Sequence, residues 1–154
     1  MNSERTKILN FMIAINKLDG LYYSIAKQIG VHENEFVLLY ALSDRKPHTQ
    51  RQICDEWQVP RTTINSVTRK FVKLGYIDLV PTGHKEKELS LTETGNDYLT
   101  TIFSDVFTAE SDAFRSTLEP CVDIVTHVIS EFVVSLETSL NNIKQEKVKK
   151  NENE

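Results

Sequence analysis

Glycine and proline together supply only nine of the 154 residues, about half the average usage of roughly 12%. Turns are therefore few, and the elements between them are predicted to be long helices. Cysteine is almost absent: Cys54 and Cys121 lie far apart with no C-x-x-C pairing, which suggests neither a disulfide framework nor a cysteine zinc site. The longest apolar run, Phe36 to Leu42, falls well short of the ~18 residues that a membrane span needs. The N-terminus has no signal-peptide core, so a soluble, cytoplasmic protein with no membrane partner is expected. Also missing are a glycine-rich phosphate loop, a G-x-S-x-G elbow, an H-E-x-x-H pair and any carboxylate pair set for acid-base work, so catalysis is not expected. The four histidines, His32, His48, His84 and His127, are scattered, and no metal or cofactor is expected.

What is present is enough apolar material for one domain. Leu, Ile, Val and Phe make up 46 of the 154 residues, well above the roughly 20% below which chains stay disordered. The net charge of −4 argues on its face against a nucleic-acid partner, but the average conceals an asymmetry. Residues 44–91 carry nine Lys/Arg against six Asp/Glu, whereas the remaining 106 carry nine against sixteen. That local excess is small enough to be an ordinary solvated face, so the spacing of residue types must decide.

From Ser3 to Ile29, the residues Ile8, Phe11, Met12, Ile15, Leu18, Tyr22, Ile25 and Ile29 recur every three or four positions, one stripe of a long helix. Gly20 interrupts that stripe, marking a kink or a close helix crossing, and Gly30 is a natural stop. A second helix over Glu33 to Ser43 is apolar nearly all round and so predicted to be buried. Thr49-Gln50-Arg51-Gln52 fits a capping box opening a short helix that carries Ile53, Cys54 and Trp57 inward. Cys54 is then a small buried hydrophobe rather than a redox sensor. Gln58-Val59-Pro60 breaks the pattern, with Pro60 in the first turn of a new helix. That helix sets Ile64, Val67, Phe71 and Leu74 on one face and Arg61, Thr62, Thr63, Asn65, Ser66, Thr68, Arg69, Lys70 and Lys73 on the others, before Gly75.

Residues 76–80 and 88–91 alternate as the two strands of a hairpin, joined by a charged tip at 81–87. A fifth helix, capped by Thr92, carries Tyr98, Leu99, Ile102, Phe103, Val106, Phe107 and Phe114. A sixth opens near Thr117-Leu118-Glu119-Pro120 with the stripe Val122, Val125, Ile129, Phe132, Leu136, Leu140 and Ile143, spaced to pack against another helix. The tail 146–154 is expected to fray. The fold class predicted is mainly α (α+β): six helices and a two-stranded wing in a single domain over 1–154.

A short helix, a tight turn, a polar-faced helix and a hairpin in succession form the layout of a winged helix-turn-helix, in which the second helix enters the major groove and the hairpin meets the neighbouring backbone. Gln50, Arg51, Arg61, Thr62, Thr63, Asn65, Ser66, Arg69, Lys70, Lys85 and Lys87 are the candidate DNA-binding residues. Phe71-Val72-Lys73-Leu74-Gly75-Tyr76-Ile77 stands where the MarR family of bacterial transcription regulators has Leu-x-x-x-Gly-x-Ile, with the leucine set closer to the glycine. Leu91-Thr92-Glu93-Thr94-Gly95 matches that family's Leu-Thr-x-x-Gly. The chain resembles the MarR family over nearly its whole length, most specifically from Thr49 to Gly95. It departs at the wing, where Gly83-His84-Lys85 replaces the family's Asp-x-Arg, and lysine lacks the planar fork suited to a narrow minor groove.

The resemblance implies a homodimeric regulator, a repressor, that binds a pseudo-palindromic operator with half-sites about 10 base pairs apart. The helices 3–30 and 92–145 would dimerise through Ile8, Phe11, Met12, Ile15, Val125, Ile129, Phe132, Leu136 and Leu140, leaving 33–91 as the DNA-binding lobe. Two helices of ~40 Å exceed what one small core can cover, which independently favours a partner. The resemblance also implies a small aromatic or amphipathic effector, for which Tyr22, Tyr23 and Trp57 could line a cleft, although all three serve equally well as core and interface residues. A rival reading is a winged-helix protein-docking module without specific DNA binding.

Overall fold

The computed structural model describes residues 3–81, 83 and 86–151. Its elements run α1 (Ser3–Gln28), α2 (Glu33–Ala41), β1 (His48–Thr49), α3 (Gln50–Trp57), α4 (Arg61–Lys73), β2 (Ile77–Pro81), β3 (Lys87–Leu91), α5 (Glu93–Ala113), a π-helical turn (Phe114–Leu118) and α6 (Val122–Asn151). The chain falls into two compact units, Met1–Phe107 and Thr108–Glu154.

In the first unit the core is built where α2, α3, α4 and the sheet meet. Leu38, Leu39, Leu42, Ile53, Ile64, Phe71, Ile77 and Leu89 are almost wholly buried there, with Leu99 and Phe103 of α5 completing it. Burial on this scale, at ~25 cal/mol per Å² of apolar surface, is the main source of the lobe's stability. His32 caps α2, its Nδ1 accepting from the Asn34 N–H. The capping box of α3 is complete: the Thr49 hydroxyl accepts from the Gln52 N–H, and the Gln52 side chain accepts from the Thr49 N–H. Gln58 ends α3 in the left-handed conformation at φ 51°. Its amide donates to the Asp55 carbonyl, a local bond that helps a residue other than glycine hold this turn. Pro60 stands just before α4 as its N-cap, one position earlier than expected, and its carbonyl accepts from Thr63 and Ile64.

The sheet has three antiparallel strands in the order β1-β3-β2, one more than the sequence suggests. His48 pairs with Leu89 and Thr49 with Glu88, while β2 runs in register from Ile77 opposite Leu91 to Pro81 opposite Lys87. Two residues are too few to show a period of two, and Thr49 is both strand and helix cap because the cap conformation is itself extended.

Two faces of α4 differ from expectation. Leu74 lies beyond the last turn as the C-cap and is 49% exposed. Thr68, expected outside, is buried with Ile64, Val67 and Phe71 on the inward face, since it follows Ile64 by four residues and precedes Phe71 by three. Trp57 is only partly inward: one edge meets the Tyr40 ring and 39% of it stays exposed. Nothing among the described residues lies within 4 Å of a Cβ placed on Gly20, so the glycine serves no close crossing among them.

In the second unit, residues 114–118 form the π-helical turn, and α6 begins only at Val122. Phe114 therefore lies outside the regular α5 stripe. Helix α6 then continues to Asn151, through residues expected to fray, with Lys144, Lys147 and Lys149 near the C-terminal end of the helix dipole. None of its described side chains is buried.

Candidate nucleic-acid interface

The exposed side of α4 follows from the way its other side is anchored. With Ile64, Val67, Thr68 and Phe71 held in the core, residues on the opposite arc must face outward. Arg61, Asn65, Arg69 and Lys73 succeed one another at intervals of four, a row that rises about 6 Å at each step. Arg61, Arg69 and Lys73 are exposed and Asn65 is half-buried. Beside this row lie Thr62 and Ser66, both exposed, whereas Thr63 is half-buried at the margin. Among the described residues, no side-chain hydrogen bond or ion pair occupies Arg61, Asn65 or Arg69.

The other candidate cations divide. Arg51 pairs with Asp55 one turn on, at 3.5 Å, both side chains being more than 60% exposed, so water and salt weaken the pair. Lys70 donates to Glu35 of α2 at 2.5 Å, which turns its charge toward the lobe and away from the row. Lys73, not among the sequence candidates for DNA contact, takes its place, and continuing the interval of four from Arg69 would have found it. Gln50, Arg51, Arg61 and Lys87 come together with Leu79 and Glu86 around an open cavity of about 340 Å³. Three elements thus bring cations to one concave surface: the start of α3, the start of α4 and the base of the wing. Lys85, with His84, lies outside the described residues.

This face is tied to α5 through a compact joint. Gly75 ends α4 at φ +73°, a value that glycine adopts without strain. The Thr92 hydroxyl donates to the Gly75 carbonyl and accepts from the Gly95 N–H, and the Thr92 N–H donates to the Tyr76 carbonyl. A Cβ on Gly95 would stand 2.0 Å from that carbonyl oxygen, so the spacing Thr-x-x-Gly is a steric requirement. The Tyr76 and Tyr98 rings stack with centroids 4.5 Å apart, and burial, then Tyr76, pushes the Tyr98 phenol above its ordinary pKa.

This is a winged helix-turn-helix lobe with its second helix presented outward. The MarR family model matches residues 29–88. No curated protein matches the chain. Among solved structures it is similar to NMB1585, a MarR family regulator from Neisseria meningitidis, at 20% identity and a TM-score of 0.78, covering 92% of this chain and 99% of that one. It is also similar to NadR in complex with 4-hydroxyphenylacetate, at 13% identity and TM-score 0.66, covering 80% and 89%. A third likeness is to reduced AbfR bound to DNA, at 18% identity and TM-score 0.54, covering 84% and 99%; AbfR is a protein of Staphylococcus epidermidis. The fold is that of solved MarR family regulators, and the matched segment contains every candidate DNA-contact residue.

The candidate effector residues only partly converge. Tyr22 meets the rings of Phe36 and Tyr40 edge-on, and Trp57 meets Tyr40. Tyr23 stands apart, exposed, with the Lys27 ammonium 4.4 Å from its ring centroid. Cys54 is buried, and desolvation raises its thiol pKa, which keeps it protonated and unreactive at neutral pH. Among the described residues there is no cluster of three or more metal-ligating side chains and no helix long and apolar enough to cross a membrane.

Proposed function

We propose that the protein is a homodimeric, sequence-specific DNA-binding repressor acting in the cytoplasm on a pseudo-palindromic operator. The observation that carries this reading is the row Arg61, Asn65, Arg69 on α4, unoccupied by partners within the described chain and set above a fully buried inward face. Cations kept out of ion pairs beside a neutral amide suit a surface that attracts phosphates and reads base edges. The cavity joining Arg51, Arg61 and Lys87 suits the adjoining backbone. The DNA-bound structure of the similar AbfR supports the same use of the fold.

Dimerisation is supported by apolar side chains left uncovered in the single chain: Met12 and Leu18 on α1, and Leu136, Leu140 and Ile143 on α6, are 41–55% exposed. Such stripes favour burial against a partner. Repression needs only occupancy of the operator. Release by a small aromatic ligand is supported by the 4-hydroxyphenylacetate complex of the similar NadR and by the partly open Tyr22, Tyr40, Trp57 cluster.

The test is fluorescence anisotropy with the DNA upstream of the protein's own coding sequence, against random duplex, across salt. Binding at least ~10³-fold tighter than to random duplex, with a steep negative salt slope, is expected. Binding to this DNA and to a genomic duplex library no better than to random sequence would replace this reading with protein docking. Trp57 is the single tryptophan, so its emission reports directly on aromatic ligands.

A further inference from the structure

We infer that Asn65 is the specificity-determining residue of the α4 row and that it reads one adenine in each operator half-site. This rests on the DNA-binding reading above and extends it to the base read.

Three observations single out Asn65. It is the one neutral member of the row Arg61, Asn65, Arg69, Lys73, with a cation on either side. It is half-buried, so its short side chain stays close to the helix surface and reaches a base only when α4 itself sits in the groove, whereas the longer flanking arginines are exposed. Its amide has no hydrogen-bond partner among the described residues. Both halves are therefore available to an incoming edge.

The chemistry of the amide selects the base. A carboxamide offers an acceptor and a donor side by side, the complement of adenine's N6 donor and N7 acceptor in the major groove. Guanine shows two acceptors there and fits the arginine fork instead; thymine offers one acceptor beside a methyl group, and cytosine one donor. Thr62 and Ser66, on the adjacent row, carry hydroxyls that donate or accept and so discriminate little. A rise of about 6 Å between Asn65 and each arginine is close to two base-pair steps of about 3.4 Å. The arginines thus fall on guanines or phosphates about two positions to either side of the adenine.

The experiment selects bound sequences from a random duplex pool with the full-length protein. The best half-site is then rebuilt with 7-deazaadenine, which lacks the N7 acceptor, in place of each adenine in turn. One adenine fixed in both half-sites, and a loss of about 5- to 150-fold on substituting it, are expected. Asn65→Ala should bind the native and the 7-deaza duplex equally, with an unchanged salt slope. Circular dichroism checks that the variant folds, and the deaza substitution on the wild-type protein needs no variant at all. Selected half-sites without a fixed adenine, or an Asn65→Ala protein that keeps the full 7-deaza penalty, would overturn the inference while leaving DNA binding intact. A pool that shows no enrichment would overturn the DNA-binding reading as well.

Discussion

Helices α4 and α6 dispose of their apolar residues in opposite ways. In the 13 residues of α4, Ile64, Val67 and Phe71 are buried to 9% exposure or less by their own chain, and the polar arc is left outside. In the 30 residues of α6, the stripe carries Leu136 and Leu140 at 48% exposure each. The first helix is complete in the monomer and offers polar groups outward; the second holds apolar surface in reserve. An element whose hydrophobic face is already satisfied can present side chains for recognition, whereas one whose face is open is built for association.

Breaking the two helices should therefore have different signatures. Phe71→Ala empties a fully buried site and should lower stability by about 3–5 kcal/mol in urea unfolding. Leu136→Asp should instead weaken self-association by about 2 kcal/mol or more by sedimentation equilibrium, with the lobe's circular dichroism retained. Gly95→Ala sharpens the comparison at the joint between α4 and α5. Its Cβ meets the Tyr76 carbonyl, a backbone atom that cannot swing aside, so a loss of about 1–3 kcal/mol by thermal unfolding is expected.

The smallest effect concerns the α2–α3 loop that leads into β1. Here Asp44 accepts from the His48 ring at 2.9 Å and from the Lys46 N–H, and these bonds, His48 first, hold its carboxyl below the ordinary value of 3.8. A depressed carboxylate pKa adds stability above the unfolded value that is lost as pH falls through the folded one. The stability difference between wild type and Asp44→Asn should thus shrink as pH falls below 3.8.

Local signals in the sequence read well. The box at Thr49 and Gln52, the buried Cys54 and the polar arc from Arg61 to Arg69 were visible because caps, helical period and residue chemistry act within a few positions. The departures share a cause in longer-range contacts or in short irregular elements. Lys70 is occupied by Glu35, thirty-five residues earlier, and no spacing reveals such a pair. Thr68 has a polar side chain on a buried face, and its hydroxyl has no partner among the described residues, so composition pointed the wrong way. The two-residue β1 and the π-helical turn at 114–118 are too short for a period to show. Thr-x-x-Gly was recognisable as a pattern, but its reason, the close approach of Gly95 to Tyr76, appears only in three dimensions.

The most direct test of the central claim compares wild type with Arg69→Ala in DNA affinity across salt. Arg69 is exposed and makes no side-chain hydrogen bond or ion pair among the described residues, so the folded state should be unchanged. The account predicts a loss of about 1–3 kcal/mol on the preferred sequence if Arg69 grips a base, or a salt slope shallower by about 1 if it grips a phosphate. Unchanged affinity and slope in Arg69→Ala, and again in Arg61→Ala, would contradict it and leave α4 as a surface for docking protein.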